Sequence, residues 1–372
     1  MRVLAISPYH GGSHQALLDG WIAGSRHEFL VLSLPPYHFK WRMRHAAVTI
    51  SAQIRDRGLA ELPFDAVFCT SMLNLAELRG LLPQAIRRPA TVVYFHENQL
   101  AYPVRHDEPR DLHFAFTNLT TALSADAVWF NSAYNRDTLL DGLGALLRRM
   151  PDYGSLEPVA QVAARSRIMP PGVELVGSAP RPSGQPLHVL WAARWEYDKG
   201  PEAFFEALRA LLRRGIPFRV SVLGASYREV PECFRQAREQ LGRRIVRWGF
   251  LDDRNEYHAA LREADVVVST AAHEFFGIAV AEAVSAGCFP VLPNRLAYPE
   301  FFDPDALYDG TVIGLVDRLC DLAELKRTTG RLPTHHLRAV DRFSWMRTAP
   351  AMDAALEAVV APPGQARSPG TA

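Results

Sequence analysis

The feature that most constrains this chain is a pattern that runs through it twice: a short, continuously apolar stretch, then a helical one, then another apolar stretch. In the first half the apolar stretches are RVLAIS, EFLVLSL, DAVFCTS, TVVYFHEN, DAVWFNS and RIMPPGV, with helical segments such as HFAFTNLTTALSA and NRDTLLDGLGALLRRM between them. A strand that is apolar along its whole length is buried on both faces, and a parallel sheet covered by helices provides that burial. After GSAPRPSGQP (177–186), the clearest linker in the chain, the pattern restarts with LHVLWAAR, FRVSVLG, IVRWGF, DVVVST and FPVLP. A length of 372 residues also exceeds what one core usually supports. The expected fold class is therefore α/β, with two doubly wound Rossmann-like domains at 1–176 and 187–345. A helix over 346–360 is expected to pack back on the first domain, and the Pro/Gly/Ser tail 361–372 to be disordered. Ligands of such sheets bind beyond the strand carboxyl ends, so the chemistry is expected in a cleft that the two domains face.

Composition narrows the partners. The net charge of +1 gives no global basic field, so a nucleic-acid partner needs a local patch. Cys69, Cys233, Cys288 and Cys320 never form C-x-x-C, which argues against zinc and against a disulfide framework and fits a reducing, cytoplasmic setting. The apolar run before Pro8 is too short for a signal peptide or a membrane span, and no amphipathic basic helix favours a membrane partner. Of 41 basic residues only Lys40, Lys199 and Lys326 are lysine.

Five stretches carry possible chemistry. In HEFFGIAVAEAVSAG (273–287), Glu274 falls in the loop after strand DVVVST, and Glu282 in the helix that Gly277 opens and Gly287 ends. On one continuous helix the two acids would lie ~80° and ~12 Å apart, so they read as separate contacts rather than a catalytic pair. The backbone N–H groups of Phe276, Gly277 and Ile278 are expected to form an anion site, with the carboxylates free to accept sugar or ribose hydroxyls. In AARWEYDKGPEAFF, Arg194 and Lys199 follow a strand end and together suit a diphosphate. Either one alone reads more readily as a surface pair, with Glu196 and Asp198 nearby.

PYHGGSHQALL places Gly11 and Gly12 where backbone can approach a ligand, with Ser13 as a possible helix cap. It is not G-x-G-x-x-G, so hydride transfer loses support, and His14 is as readily a helix-surface residue as a ligand. In VVYFHENQLAYP, His96, Glu97 and Asn98 close a buried strand and must be satisfied or functional. YHFKWRMRH (37–45), with Arg55 and Arg57, interleaves Lys40, Arg42 and Arg44 with Tyr37, Phe39 and Trp41, as do surfaces that hold phosphates and stack bases. A solvated loop anchored by aromatics is the alternative. Asp303 and Asp305 spell a D-x-D but read as a turn, and no essential metal is expected.

Taken together, E-x7-E (Glu274, Glu282), R-x4-K (Arg194, Lys199) and the N-terminal glycine loop resemble retaining, nucleotide-sugar-dependent glycosyltransferases of family 4, which have the GT-B fold. More narrowly, HGGSHQAL, YHFKWRMR, YFHENQLAYPV, FNSAYN, RWEYDKGPEAFF, VSVLG and STAAHEFFGIAVAEAV are similar to the tRNA-queuosine mannosyltransferases. This resemblance implies transfer of mannose from GDP-mannose to the cyclopentene-diol of queuosine at the tRNA anticodon wobble position. It implies that Arg194 and Lys199 bind the donor diphosphate, with Gly12 beside it, and that Glu282 binds the ribose. Glu274 would hold donor-sugar hydroxyls, His96 would lie near the sugar or the attacking hydroxyl, and no residue would serve as covalent nucleophile. Other acceptors, or a non-catalytic nucleotide- or RNA-binding protein of the same fold, are the alternatives.

Overall fold

The computed structural model describes residues 1–102, 111–182, 184–226 and 230–361. Residues 103 and 104 of the YFHENQLAYPV match, and the tail beyond 361, lie outside the described residues. Two compact units form, Val173–Ser344 and Met1–Gly172 together with the residues from Trp345 onward.

The first unit holds β1 (Arg2–Ser7), β2 (Glu28–Ser33), β3 (Ala66–Thr70), β4 (Ala90–Phe95), β5 (Ala127–Phe130) and β6 (Ser166–Ile168), all parallel, in the order β2-β1-β3-β4-β5-β6. The central strands β1, β3 and β4 are buried almost throughout, which is why their sequences run apolar without alternation. The order reverses between β1 and β3. The second unit repeats the plan with β7 (Leu187–Ala192), β8 (Phe218–Leu223), β9 (Ile245–Gly249), β10 (Val266–Val268), β11 (Phe289–Pro293) and β12 (Leu307–Tyr308), ordered β12-β11-β10-β7-β8-β9. Its reversal lies between β7 and β10. In each sheet the carboxyl ends flanking the reversal diverge to opposite faces and leave room for a ligand.

The units divide at Gly172/Val173, ahead of the Pro/Gly/Ser segment. Val173 N–H donates to Phe343 O, Val176 N–H to Ser285 Oγ, and Arg181 to Ala286 O and Gly287 O, so this segment is stitched to the second unit. Its composition marks a lack of regular structure, not a lack of contacts. The helix Trp345–Val360 belongs to the first unit and packs on the helix Ser13–Gly24. Its Asp353 is buried, accepting from Trp21 Nε1 (2.8 Å), Ser25 Oγ (2.6 Å) and Arg26 N (2.9 Å). Gly20 and Gly172 make room for the Trp345 indole: a Cβ on either would fall within 2.2 Å of its ring.

Two long helices were not anticipated. Phe39–Asp56 begins inside the basic-aromatic block, which is helix and not loop from Phe39 onward. Val312–Thr329 carries legible signals: Thr311 caps it through Gly314 N–H, Gly330 follows it at φ 77°, and Leu315, Val316, Leu319 and Leu322 bury one face. Among the described residues no helix is long and apolar enough to cross a membrane.

Candidate functional site

Each unit gathers its polar residues at the carboxyl ends of its strands. In the second unit, β7 delivers the loop 193–200 and β10 the loop 269–277. The two loops are sewn together: Ala272 and His273 N–H donate to Asp198 O, Thr270 Oγ1 donates to Lys199 O, and Lys199 Nζ donates to His273 O at 2.8 Å. Gly200 is required here, since its φ is 64° and a Cβ would sit 2.3 Å from Thr270 O.

Lys199 is the hub. It is 9% exposed and lies 3.3 Å from Asp198 Oδ2 and 3.4 Å from Glu274 Oε2. The surface pair weighed for it in the sequence is thus a buried cluster: Asp198, named there as a surface partner, is itself buried. Arg194 is different: its side chain is 45% exposed beside Glu196 at 3.3 Å, so it presents a guanidinium to solvent.

Glu274 Oε1 accepts from Phe275 N (3.2 Å) and Phe276 N (3.4 Å). Burial alone would raise its carboxyl, but the Lys199 charge, His273 and the Phe276 N–H together hold it below the ordinary value. The expected anion site is therefore smaller by one donor, because Phe276 N–H is already used. Gly277 (φ 90°) opens the helix Ile278–Ser285, and the N–H groups of Gly277 and Ile278 have no acceptor among the described residues. Glu282, on that helix, has a side chain 13% exposed and accepts from Tyr257 Oη at 3.0 Å, with Arg254 at 3.9 Å. Burial lifts its carboxyl above the usual range, against the pull of Tyr257 and Arg254. Tyr257 and Arg254 come from the helix Arg254–Glu263, a pairing that sequence spacing does not reveal.

In the first unit, the glycine loop follows β1. Gly12 has φ 53° and occupies the N-cap position of the helix Ser13–Gly24 with no side-chain cap, so Ser13 is the first helical residue and not the cap. The missing Cβ of Gly11 is explained by Pro36, whose ring it would strike at 2.5 Å. His14 is buried rather than on the surface. It stacks on His96 with ring centroids 3.9 Å apart, and its Nε2 lies 3.3 Å from Glu97 Oε2. His96 is also buried, and burial, then the neighbouring His14, drives its pKa well below the ordinary value, so its ring is neutral. His14 Nδ1, His96 Nε2 and Glu97 Oε1 are all buried without hydrogen-bond partners. Three orphaned polar atoms beyond the carboxyl ends of β1 and β4 form a cradle for hydroxyl groups.

Asn98, expected to be either satisfied or functional, is satisfied and is not available to bind an acceptor. It is fully buried, its amide N–H groups serve Asn135 O, Asn135 Oδ1 and Thr138 Oγ1, and its oxygen accepts from Leu100 and Ala101. No capacity remains for a ligand. Lys40, Trp41, Arg42 and Arg44 share the first turns of the helix Phe39–Asp56. Trp41 is 60% exposed and stacks on His45 (4.7 Å). Arg42 is braced by Pro35 O (3.0 Å) and His45, while Arg44 lies over the Phe114 ring (4.9 Å) and 3.7 Å from Asp111. Lys40 and Arg44 remain exposed.

Residues 2–173 match the family described as tRNA-queuosine alpha-mannosyltransferase N-terminal, and residues 146–295 the family 4 glycosyltransferases of conflict systems. The tRNA-queuosine alpha-mannosyltransferase of Drosophila melanogaster is 37% identical over 340 residues, covering 88% of each chain. The GDP-mannose:cellobiosyl-diphosphopolyprenol alpha-mannosyltransferase of Xanthomonas campestris is 26% identical over 56% of this chain and 57% of its own. Among solved structures, the sucrose-phosphate synthase of Thermosynechococcus elongatus superposes with a TM-score of 0.72 at 15% identity, covering 96% of this chain and 99% of that one. The fold is that of the GT-B glycosyltransferases, two parallel six-stranded α/β units. With a 37% identical relative aligned along nearly the whole of both chains, this chain belongs to the tRNA-queuosine alpha-mannosyltransferase family.

Proposed function

We propose that this protein transfers mannose from GDP-mannose to the cyclopentene-diol of queuosine in the anticodon of a tRNA, in the cytoplasm. The observation that carries the donor half is the Lys199 hub at the reversal of the second sheet, with the Arg194 guanidinium and the unused N–H groups of Gly277 and Ile278 on the same two loops. Diphosphate departure concentrates negative charge on phosphate oxygens and positive charge at the anomeric carbon. Arg194, Lys199 and the two N–H groups meet the first, and the ionised Glu274 accepts sugar hydroxyls beside the second. These groups neutralise the leaving diphosphate in the role a divalent cation fills elsewhere, so the reaction is proposed to need no metal and no cofactor beyond the donor. Glu282, at the helix facing Tyr257, is assigned to the ribose hydroxyls.

The names of two relatives support the substrates. The Drosophila relative acts on tRNA-queuosine, and the Xanthomonas relative uses GDP-mannose. In the first unit, the neutral His96 with His14 and Glu97 offers ring nitrogens and a carboxylate oxygen to a diol, and Gly12 is assigned to the donor diphosphate. Lys40, Trp41, Arg42 and Arg44 supply the local basic-aromatic patch that a near-neutral chain needs to hold RNA.

The test is to incubate the protein with GDP-mannose and either queuosine-containing or queuosine-free tRNA, then weigh the nucleosides. Gain of one hexose on queuosine alone, undiminished by EDTA, is the expected result. Transfer to queuosine-free tRNA, or from UDP-glucose in preference to GDP-mannose, would refute it.

A further inference from the structure

The second unit contains a cluster that none of the roles above uses. Asp303 and Asp305 flank the turn before β12, and His335 and His336 immediately precede the helix Leu337–Asp341. One ligand atom from each of the four lies within 4.8 Å of every other. Asp305 Oδ2 is 3.0 Å from His335 Nε2 and 3.4 Å from His336 Nε2, and the two imidazoles lie 3.9 Å apart at 39°.

His336 separates this group from an ordinary acidic surface. It is 1% exposed, packed edge-on to Phe289, and neither ring nitrogen has a hydrogen-bond partner; its approach to Asp305 lacks hydrogen-bond alignment. A buried imidazole without partners is unfavourable unless something accepts its lone pair, and Nε2 lies 3.4 Å from Asp305 Oδ2.

We propose that Asp303, Asp305, His335 and His336 form a structural site for a divalent transition ion of the zinc class. Two imidazoles and two carboxylates are a donor set for such an ion, whereas magnesium and calcium sites are built from oxygen alone. Four protein ligands close the coordination sphere, which is the arrangement of a structural and not a catalytic centre. Bonds of ~2.1 Å place tetrahedral donors ~3.4 Å apart. The two contacts to Asp305 are already near that spacing, and exposed Asp303 and His335 can rotate to complete it. Arg318, which donates to the Asp305 backbone carbonyl and lies over Phe289, adds one positive charge that the two carboxylates outweigh. The cysteine count is silent here because no ligand is a thiolate. The bound ion would tie the turn before β12 to the segment before Leu337, far apart in sequence, and so brace the second unit independently of turnover.

The test uses the full chain, stripped with a chelator and desalted, then titrated with ZnCl2 against a chromophoric competitor, with CoCl2 in parallel for tetrahedral d–d absorption. One equivalent is expected to bind, with at least ~10-fold weaker binding in Asp305→Asn and in His335→Ala. Both side chains are about half exposed, so the stripped variants should melt with stripped wild type. If either does not, Asp303→Asn gives the same reading without removing the Asp305 ion pairs. ZnCl2 should raise the Tm of wild type and not of the Asp305→Asn/His335→Ala double variant. Absence of stoichiometric zinc binding, unchanged zinc affinity in the variants, or an equal Tm increase from MgCl2 would each overturn the proposal and leave an ion-pair cluster only.

Discussion

Lys199→Ala should damage the protein in two separable ways, and the structure gives the size of each. The ammonium is the charge partner of Asp198, whose side chain is 2% exposed, and of Glu274, whose side chain is 26% exposed. Removing one member of a buried ionic group typically costs ~3–5 kcal/mol, because the remaining charge is left desolvated. Glu274 keeps two backbone N–H donors and some solvent, so the lower end applies, about 3 kcal/mol. For a unit of the size of Val173–Ser344, ~2–4 °C per kcal/mol predicts a Tm lower by about 6–12 °C. Lys199→Arg should keep most of the stability yet lose transfer, since a planar fork does not fit a site built around a point charge. Adding Asp198→Asn and Glu274→Gln to Lys199→Ala should restore much of the Tm without restoring turnover. Differential scanning fluorimetry and initial rates of mannose transfer, measured on the same preparations, separate the two effects. A Lys199→Ala protein that melts within about 2 °C of wild type would refute the ionic-hub reasoning, whatever its activity.

Three further outcomes are expected. Arg194→Ala, at an exposed position, should lower kcat by ~10²–10³ while leaving the Tm unchanged, checked by the same two assays. His188, buried between Glu263 O and Ser221 Oγ, has its pKa lowered to about 4, chiefly by burial. The unfolded chain therefore takes the proton first: this stability is complete above pH ~6.5, declines as pH falls and reaches a loss of about 3 kcal/mol near pH 4. Urea midpoints against pH should flatten over that window in His188→Gln. Trp41→Ala should weaken tRNA binding by ~1–3 kcal/mol with no change in its salt dependence, whereas Arg44→Ala should reduce the salt slope. Fluorescence anisotropy at several salt concentrations distinguishes the two.

Much of the fold was readable because burial on both faces of a parallel sheet leaves a mark: β1, β3, β4 and β7 carry the uninterrupted apolar runs VLAI, AVFC, VVYF and VLWA. β12 was not, because Leu307–Tyr308 is too short to carry any pattern. At the site, the chemistry-bearing loops were legible from their position after strands, since a polar residue there has few reasons to exist other than a ligand. Their internal pairing was not. That Lys199 pairs with Asp198 as well as Glu274, that Glu274 takes the Phe276 N–H, and that Glu282 answers to Tyr257 all depend on three-dimensional proximity across loops and helices. Asn98 shows the converse error. Its place in HENQ looked functional, but the helix Ala133–Leu147 brings Asn135 and Thr138 against it and turns it into a backbone clamp.

The last helix, Trp345–Val360, bears on how the protein is made. The ribosome releases residues in order, and domains emerging from it usually fold N-terminal first. Here the second unit is continuous and complete once Ser344 has emerged, while the first still lacks the helix that covers Trp21 and supplies Asp353. Until then Trp21, Ser25 and Arg26 have no acceptor in Asp353, and the faces that receive Ala349, Met352 and Leu356 are open to water. The half of the chain born first is thus the half finished last. A nonsense mutation just before Trp345 should leave a folded second unit attached to a first unit that chaperones and proteases recognise as incomplete.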